Sequence, residues 1–245
     1  MNLEDAIEGM HQARHVDQLF HCYQAAVECF GYDRVLLALI SDHPRLHLKA
    51  QHGVLSSYPD AWVSHYLSQG YDRIDPVRIE VCKRIAPFSW RQLQDTLTLS
   101  PRQKRLFREA GEVDLHHGLG VPLRGPDGAT AGVGLASSSR KPAQDSLSLW
   151  QIHNLSMQFY AAFWRLFEQS EPPREALSLS PREAEILKLL ALGLTKADVS
   201  DRLRISYHTV DFHTRRLLEK FNTRSITAAV HFATAWGVIA LETGF

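Results

Sequence analysis

The chain has 245 residues, of which 44% are hydrophobic and 22% charged, as in folded globular proteins, and its length suits two domains better than one core. Lysine plus arginine equals aspartate plus glutamate at 27 each, so any surface for nucleic acid must be local. The longest wholly apolar run, Val35–Ile40, and the three scattered cysteines exclude membrane-spanning and disulfide-rich classes, so we expect a cytoplasmic protein with no membrane contact.

The first part of the chain mixes helical and strand patterns. Residues 16–30 carry apolar side chains at helical spacing and end at Gly31, a residue suited to a helix C-cap. Strands are predicted at 34–40, at 46–50 with weaker alternation, and at 118–123 and 129–136, the last two joined by the hairpin turn 124–128. Further helices are predicted at 60–69, 76–84, 101–110 and 147–166. Helices before, between and after the strands favour a sheet covered on both faces, an α/β/α sandwich.

Two adjacent prolines, Pro172 and Pro173, separate this part from the rest of the chain. Proline cannot continue a helix and favours an extended linker. We therefore predict an α+β protein of two domains. The α/β/α sandwich spans 1–170, the linker 171–177, and an all-α, four-helix domain 178–245.

The segment after the linker is predicted to be helical throughout. Ser180, followed by a proline and then by Glu183, forms a capping box, and Gly193 ends that helix. Further helix starts are predicted at Thr195, Ser206 and Ser225. A tight turn at 204–206 joins the second and third helices, the layout of a helix-turn-helix. The fourth helix carries an apolar stripe of Ala229, Phe232, Ala233 and Trp236.

In a helix-turn-helix, the third helix of this segment would enter the major groove of double-stranded DNA. Its outward face carries His208, Asp211, Phe212, Arg215, Arg216 and Lys220. The segment has nine basic and seven acidic residues, too small an excess to establish DNA binding. On these features alone, plain packing of four short helices is an equally good interpretation.

Several motifs resemble the DNA-binding module of LuxR-type regulators: Ser180-Pro181-Arg182-Glu183, Leu187, Gly193-Leu194-Thr195 and Ser206-x-x-Thr209-Val210-x-x-His213. By analogy, Arg215 and His208 are expected to reach base edges, Arg215 suiting a guanine. Phosphate contacts are expected for Lys196, Thr209, His213 and Arg216. Asp211 departs from the asparagine often found at its position, and a carboxylate repels phosphate but can accept from a cytosine amino group.

A second group of residues lies in the first part of the chain. Trp62 and Tyr66 are four apart and share a helical face, and Asp75-Pro76 has the composition of a helix start. Taken singly, each is more simply a core aromatic or a cap. Together, in order and spacing, the group resembles the autoinducer-binding domain of LuxR-type quorum-sensing receptors: Trp62, Tyr66, Asp75, Pro76, Trp90 and Gly118.

The resemblance implies an N-acyl-homoserine lactone as the signal ligand, with no metal and no further cofactor. Trp62 offers an indole N–H to the lactone carbonyl, ionised Asp75 accepts from the amide N–H, and Tyr58 donates to the amide carbonyl. The acyl tail is expected against Leu36, Ala38, Ile40, Tyr66, Val77, Trp90, Leu106, Ala110 and Leu115. Gly134 stands where several family members place a serine or threonine hydroxyl, which leaves the preferred acyl group open.

We therefore expect a ligand-responsive transcription factor, not an enzyme, that binds a roughly palindromic DNA site as a homodimer through the long helix and the last helix. The alternatives are a LuxR-type regulator of another small molecule, a response regulator, and an enzyme that degrades such signals. The chain lacks the acidic pair of a response regulator and common catalytic strings such as G-x-S-x-G. His43 with His47, or His116 with His117, could be metal ligands, but 13 scattered histidines make such neighbours expected.

Overall fold

The computed structural model describes residues 2–138, 142, 144–170, 178–235 and 238–239. The chain divides into two compact units, Met1–Gly125 with Ala129–Ser170, and a second that contains Glu171–Phe245. The predicted linker 171–177 and Trp236 lie outside the described residues. No helix of the described part combines the length and apolarity that a membrane crossing requires.

The N-terminal unit is built on a five-stranded antiparallel sheet. Its strands are β1 (Arg34–Leu39), β2 (Gln51–Ser56), β3 (Phe88–Ser89), β4 (His116–Arg124) and β5 (Thr130–Ser137). Their order across the sheet is β2-β1-β5-β4-β3, and β4 and β5 form the predicted hairpin. The sheet therefore places β5 at its centre, between β1 and β4.

Helices cover both faces of this sheet, so the predicted α/β/α sandwich is confirmed. The first face packs against α1 (Leu3–Gln12), α2 (Val16–Glu28) and α7 (Ser146–Ser170). The second face is covered by α3 (Asp60–Ser68), α4 (Pro76–Lys83), α5 (Trp90–Thr96) and α6 (Pro101–Gly111). Because side chains alternate along a strand, Val35 and Leu37 of β1 enter the first core while Leu36 and Ala38 face the second layer.

Four neighbouring positions on the second face of β4 and β5 carry no side chain. They are Gly118, Gly120, Gly132 and Gly134, and strand pairing places Gly120 beside Gly134. Side chains of the covering layer occupy the space that a Cβ would need. A Cβ at Gly120 would lie 2.6 Å from Phe88 Cζ, and one at Gly132 would lie 2.8 Å from Val81 Cγ1. The covering layer therefore approaches the backbone of this face directly.

The predicted strand at 46–50 is wrong. Pro44–Leu46 forms a short 3-10 helix, and His47 has a φ of +53°, which interrupts any extended backbone. The edge strand is instead β2, where polar residues and Gly53, with a φ of +69°, conceal the alternation. The short strand β3 and the helices α1 and α5 were not predicted either. Each is too short for its apolar residues to show a clear periodicity.

The C-terminal unit contains the four predicted helices: α8 (Pro181–Ala191), α9 (Lys196–Leu203), α10 (Tyr207–Lys220) and α11 (Ile226–Ala235). The capping box of Ser180 and Glu183 is confirmed, and Ser206 caps α10 by accepting from the Thr209 N–H. Arg204 adopts a left-handed φ of +51° in the turn between α9 and α10. The core that joins these helices is Ile186, Leu187, Val199, Val210, Leu217, Phe221, Ala229 and Ala233.

A carboxylate on α6 ties together the elements that cover the second face of the sheet. Glu109 accepts hydrogen bonds from His65 Nε2 at 2.9 Å, Tyr71 Oη at 2.7 Å and Arg105 Nε at 2.5 Å. The hydrogen bond from His65 is the largest cause of a lowered pKa of Glu109. Burial acts in the opposite direction, but the bonds from His65, Arg105 and Tyr71 together lower the pKa to about 2. The network joins α3 to α6.

We expect Gly118→Ala to destabilise the N-terminal unit, because a Cβ at this position would overlap the Trp90 ring. The expected loss of unfolding free energy is about 1–3 kcal/mol, as for other overpacked cores, measured by urea unfolding of the full chain. Gly111→Ala is the matched control, since its Cβ would meet only ordinary contacts, 3.6 Å from His116 Cε1. Equal stability of the two variants would show that the ring can move aside without cost.

A second prediction concerns acid stability. Because the folded pKa of Glu109 is about 2, against an ordinary value of 4.5, its ionised form stabilises the fold above about pH 4.5. That contribution is lost as the pH falls towards 2. We expect the unfolding free energy of Glu109→Gln to change less steeply over this window than that of the wild type. Glu112→Gln, which removes an exposed carboxylate on the same segment, should follow the wild type; parallel curves for all three proteins contradict the prediction.

Candidate functional site

A cavity lies between the second face of the sheet and the covering helices of the N-terminal unit. The cavity has a volume of about 70 Å³. Its lining is mainly aliphatic and aromatic, with a few polar side chains among them. This composition fits a ligand with a large apolar part and a small number of polar groups.

The structure brings twelve of the thirteen predicted ligand-binding residues to the wall of this one cavity. They are Leu36, Ala38, Ile40, Tyr58, Trp62, Tyr66, Asp75, Val77, Trp90, Leu106, Ala110 and Gly134. The thirteenth, Leu115, does not line the cavity. It follows α6 and is buried in the hydrophobic cluster that also contains Leu106 and Ala110.

Asp75 is the acidic group of the cavity. Its Oδ1 accepts from the Val77 N–H at 2.8 Å, as the N-cap of α4, and its Oδ2 accepts from Tyr66 Oη at 2.8 Å. Burial raises the pKa of Asp75, and these two hydrogen bonds only partly oppose the increase. A carboxylate has about four acceptor sites, so Asp75 can accept one more hydrogen bond from a ligand.

Two aromatic side chains present buried donors without partners among the described residues: Tyr58 through its hydroxyl and Trp90 through its indole N–H. Burial raises the pKa of Tyr58, which keeps this hydroxyl protonated and able to donate. Trp62 is 5% exposed and lines the same cavity from α3. An unpaired buried polar group costs about 1–3 kcal/mol, so the cavity favours a ligand that supplies acceptors.

Six lining residues were missed by the sequence analysis: His52, Arg78, Val81, Phe107, Gly132 and Val133. Arg78 and Val81 could have been found, because they follow Asp75 and Val77 at helical spacing. Gly132 alternates with Gly134 on one face of β5. His52 could not have been found, since β2 itself was not predicted.

The C-terminal unit presents a second candidate surface on α10. Tyr207, His208, Phe212, Arg215 and Arg216 are exposed along this helix. The Arg216 guanidinium lies 5.6 Å from the centre of the Phe212 ring, a cation–π distance. Of the other predicted DNA contacts, Thr209 shares a hydrogen bond with the Ser206 hydroxyl, and His213 is half-buried.

Asp211 connects two of the predicted DNA-binding cations. Its Oδ1 accepts from Lys196 Nζ of α9 at 2.7 Å, and its Oδ2 accepts from Arg215 of α10. The bond from Lys196 is the largest cause of the lowered pKa of Asp211. Each carboxylate oxygen accepts one hydrogen bond, so this side chain holds the two cations in place, and its predicted contact with a cytosine stays a prediction.

Lys220 is engaged within the protein. Its Nζ donates to Glu183 Oε2 at 2.7 Å and to the Ser178 carbonyl at 2.9 Å. Glu183 is only 2% exposed, and removing its counter-ion would leave a buried charge unpaired. Burial opposes ionisation of Glu183, but the bonds from Lys220 and Ser180 lower its pKa. Lys220 therefore holds the start of α8, and its predicted contact with DNA stays a prediction.

The histidine pairs considered as metal ligands have other environments. His43 is fully buried, with Nε2 2.5 Å from Tyr160 Oη and Nδ1 2.9 Å from the Ser41 carbonyl. The rings of His116 and His117 lie 6.4 Å apart. Within the described part of the chain, no three His, Cys, Asp or Glu side chains are grouped to hold a metal ion.

Two family models match the chain, one over each unit. A family model described as autoinducer binding domain matches residues 15–166, and one described as bacterial regulatory proteins, luxR family, matches residues 177–233. Transcriptional activator protein CarR of Pectobacterium carotovorum is 32% identical over 194 residues, covering 72% of this chain and 78% of that protein. Transcriptional activator protein BjaR1 of Bradyrhizobium diazoefficiens is 26% identical over 242 residues, covering 96% and 95%.

Solved structures share the fold. The crystal structure of Escherichia coli SdiA matches with a TM-score of 0.74 at 24% identity, over 97% of each chain. A structure of SdiA in complex with octanoyl-rac-glycerol matches with a TM-score of 0.73 at 24% identity, over 96% of this chain and 94% of that one. The relatives are named as transcriptional regulators rather than enzymes. This chain belongs to the LuxR-type quorum-sensing regulators, with an autoinducer-binding domain followed by a luxR-family helix-turn-helix module.

Proposed function

We propose that this regulator binds an N-acyl-homoserine lactone in the cavity of its N-terminal unit and thereby controls DNA binding by α10. The observation that carries the proposal is the convergence of Trp62, Tyr58 and Asp75 on one largely apolar cavity. The indole N–H of Trp62 suits the lactone carbonyl, the Tyr58 hydroxyl suits the amide carbonyl, and Asp75 suits the amide N–H. The glycine face of the sheet and the aliphatic wall then hold the acyl tail.

The proposed mechanism follows from the cavity itself. An empty apolar cavity destabilises a fold in proportion to its volume, and a ligand that binds only the folded state stabilises it by mass action. Ligand binding would therefore raise the population of the folded, DNA-competent regulator.

We place the domain boundaries at 1–170 and 178–245, with 171–177 as the linker, and the protein in the cytoplasm.

We further propose that the regulator acts as a homodimer on a roughly palindromic site in double-stranded DNA. Support comes from α7, where Leu147, Trp150 and Met157 are 68%, 56% and 38% exposed. Their spacing of three and seven residues places them along one face of the helix. An apolar stripe of this kind on an otherwise amphipathic helix suits a second copy of the same chain. The last helix, α11, is the other proposed contact.

The ligand proposal is tested by measuring N-octanoyl-homoserine lactone binding to the full chain by calorimetry and mass spectrometry. We expect stoichiometric retention of the intact lactone. Asp75→Asn should weaken binding about ten- to hundredfold, because the Val77 N–H holds the remaining oxygen and the new amide faces the ligand N–H with a donor. Stability without ligand should not fall, since Asn keeps the cap and removes a carboxylate whose pKa is raised by burial.

Octanoyl-rac-glycerol, the molecule bound in the SdiA structure, is the control ligand because it lacks the amide N–H. Its glycerol hydroxyls can donate to Asp75 or accept from the new amide, so its binding should change less than that of the lactone in Asp75→Asn. A preference of the wild type for this ester over the lactone would favour a LuxR-type regulator of another small molecule. Consumption of the lactone would favour an enzyme, and equal lactone affinity of wild type and variant would remove Asp75 from the site.

The DNA proposal is tested by selecting duplexes from a random library with the full chain and its ligand. Arg215→Ala should relax the preference at one base position, at a cost of about 1–3 kcal/mol on the preferred sequence. Arg216→Ala is the matched variant on the same helix. It should weaken all sequences alike and reduce the salt dependence of binding by about one counter-ion. A uniform loss with Arg215→Ala would reassign this residue to a phosphate.

A further inference from the structure

One side chain outside the cavity holds the backbone that carries Asp75. Gln103, in the first turn of α6, is half-buried and does not line the cavity. Its Nε2 donates to the Ile74 carbonyl at 2.9 Å, and its Oε1 accepts from the Ser100 N–H at 2.9 Å. The Ile74 carbonyl belongs to the peptide unit that leads directly into Asp75. This hydrogen bond therefore joins the cap of α6 to the acidic group of the cavity.

The peptide unit between Ile74 and Asp75 is held on both sides. Its N–H donates to the Tyr71 carbonyl at 2.8 Å, and its carbonyl accepts from Gln103. In a planar trans peptide these two groups point in opposite directions, so bonds to both stop the plane from rotating about its long axis. Such a rotation would move the Cβ of Asp75, and with it the carboxylate in the cavity wall. The bond from Gln103 thus fixes the backbone from which this carboxylate projects.

Capping alone does not explain glutamine at this position. A capping box accepts glutamate as well as glutamine, and an acid in the first turn also interacts favourably with the helix dipole. The capping boxes of α8 and α9 place acids there, Glu183 and Asp198. Glutamine adds a donor, which an ionised acid lacks, and Ile74 supplies the acceptor. The residue type at 103 therefore fits the bond to the Ile74 carbonyl.

We propose that Gln103 is a positioning residue for signal recognition, which holds Asp75 where its carboxylate accepts the amide N–H of the ligand. This inference rests on the proposed binding of an N-acyl-homoserine lactone. The helix α6 also carries Leu106 and Ala110 of the cavity wall, and Leu106 follows Gln103 by three residues. One helix therefore supports the wall for the acyl tail and fixes the acceptor for the amide.

The test separates this bond from the capping of α6. Gln103→Glu keeps the acceptor for the Ser100 N–H and loses the donor to the Ile74 carbonyl, whereas Ser100→Ala loses the side-chain cap and keeps that donor. We expect Gln103→Glu to weaken binding of N-octanoyl-homoserine lactone to the full chain about five- to tenfold by calorimetry. Ser100→Ala should instead lower the Tm by about 2–4 °C and leave the affinity unchanged.

Two further variants show whether the effect passes through Asp75. Gln103→Met removes the same donor without adding a charge and should weaken lactone binding by a similar factor. In the Asp75→Asn background, Gln103→Glu should cause no further weakening, because the acceptor that it positions is already gone. The positioning role is overturned by an equal loss in both backgrounds, or by a loss with Ser100→Ala as large as that with Gln103→Glu.

A measurement without ligand keeps the two proposals distinguishable. Hydrogen exchange at the N–H groups of Asp75 and Val77, followed by NMR in the full chain, should be faster in Gln103→Glu than in wild type. Ser100→Ala should change exchange only at the start of α6. Faster exchange in Gln103→Glu supports the positioning role even if no lactone binds, an outcome that overturns only the proposed signal.

The remaining outcomes also decide between the proposals. Lactone binding that is the same in wild type and Gln103→Glu upholds the signal and overturns the positioning role. Unchanged exchange at Asp75 and Val77 in Gln103→Glu overturns the positioning role whether or not a lactone binds.

Discussion

The cavity depends on the absence of side chains from one face of a sheet. Where β4 and β5 pair at the centre of the N-terminal unit, glycines occupy the positions that would otherwise fill the space between sheet and helices. Trp90 and Phe88 pack directly onto the backbone at Gly118 and Gly120, and Trp90 and Gly134 both line the cavity. Interiors are normally close-packed, so such a space persists only because the backbone and the aromatic wall both resist collapse.

Polar groups are few in this space, and each is fixed by its element. Asp75 is held by the start of α4 and by Tyr66, and the position of α3 is set by the Glu109 network. A buried carboxylate anchored on two sides cannot rotate to follow a poorly fitting ligand. The apolar wall contributes affinity, whereas the anchored polar atoms decide which ligands are accepted.

Much of the fold and of the cavity lining could be predicted from the sequence, because the sequence patterns that define the helix starts are local. The capping boxes of α8 and α9 and the Asp75-Pro76 start of α4 each define a helix within four residues. The pairs of Asp211 with Lys196 and of Lys220 with Glu183 could not be predicted, since each joins two different helices. His52 and β2 were missed because Gly53 interrupts the alternation, and the strand is fixed by pairing with β1 rather than by its own residues.

The carboxylate of Asp211 has a consequence for how α10 would meet DNA of random sequence. Its single negative charge offsets half of the positive charge of Lys196 and Arg215 before any phosphate arrives, and so acts as a built-in counter-ion for the recognition helix. Cations whose charge is already partly offset release fewer salt ions on association, and the purely electrostatic part of DNA affinity shrinks accordingly. A helix arranged in this way would spend less time on irrelevant genomic DNA, because strong attachment requires a sequence that can compete with the carboxylate for the two side chains.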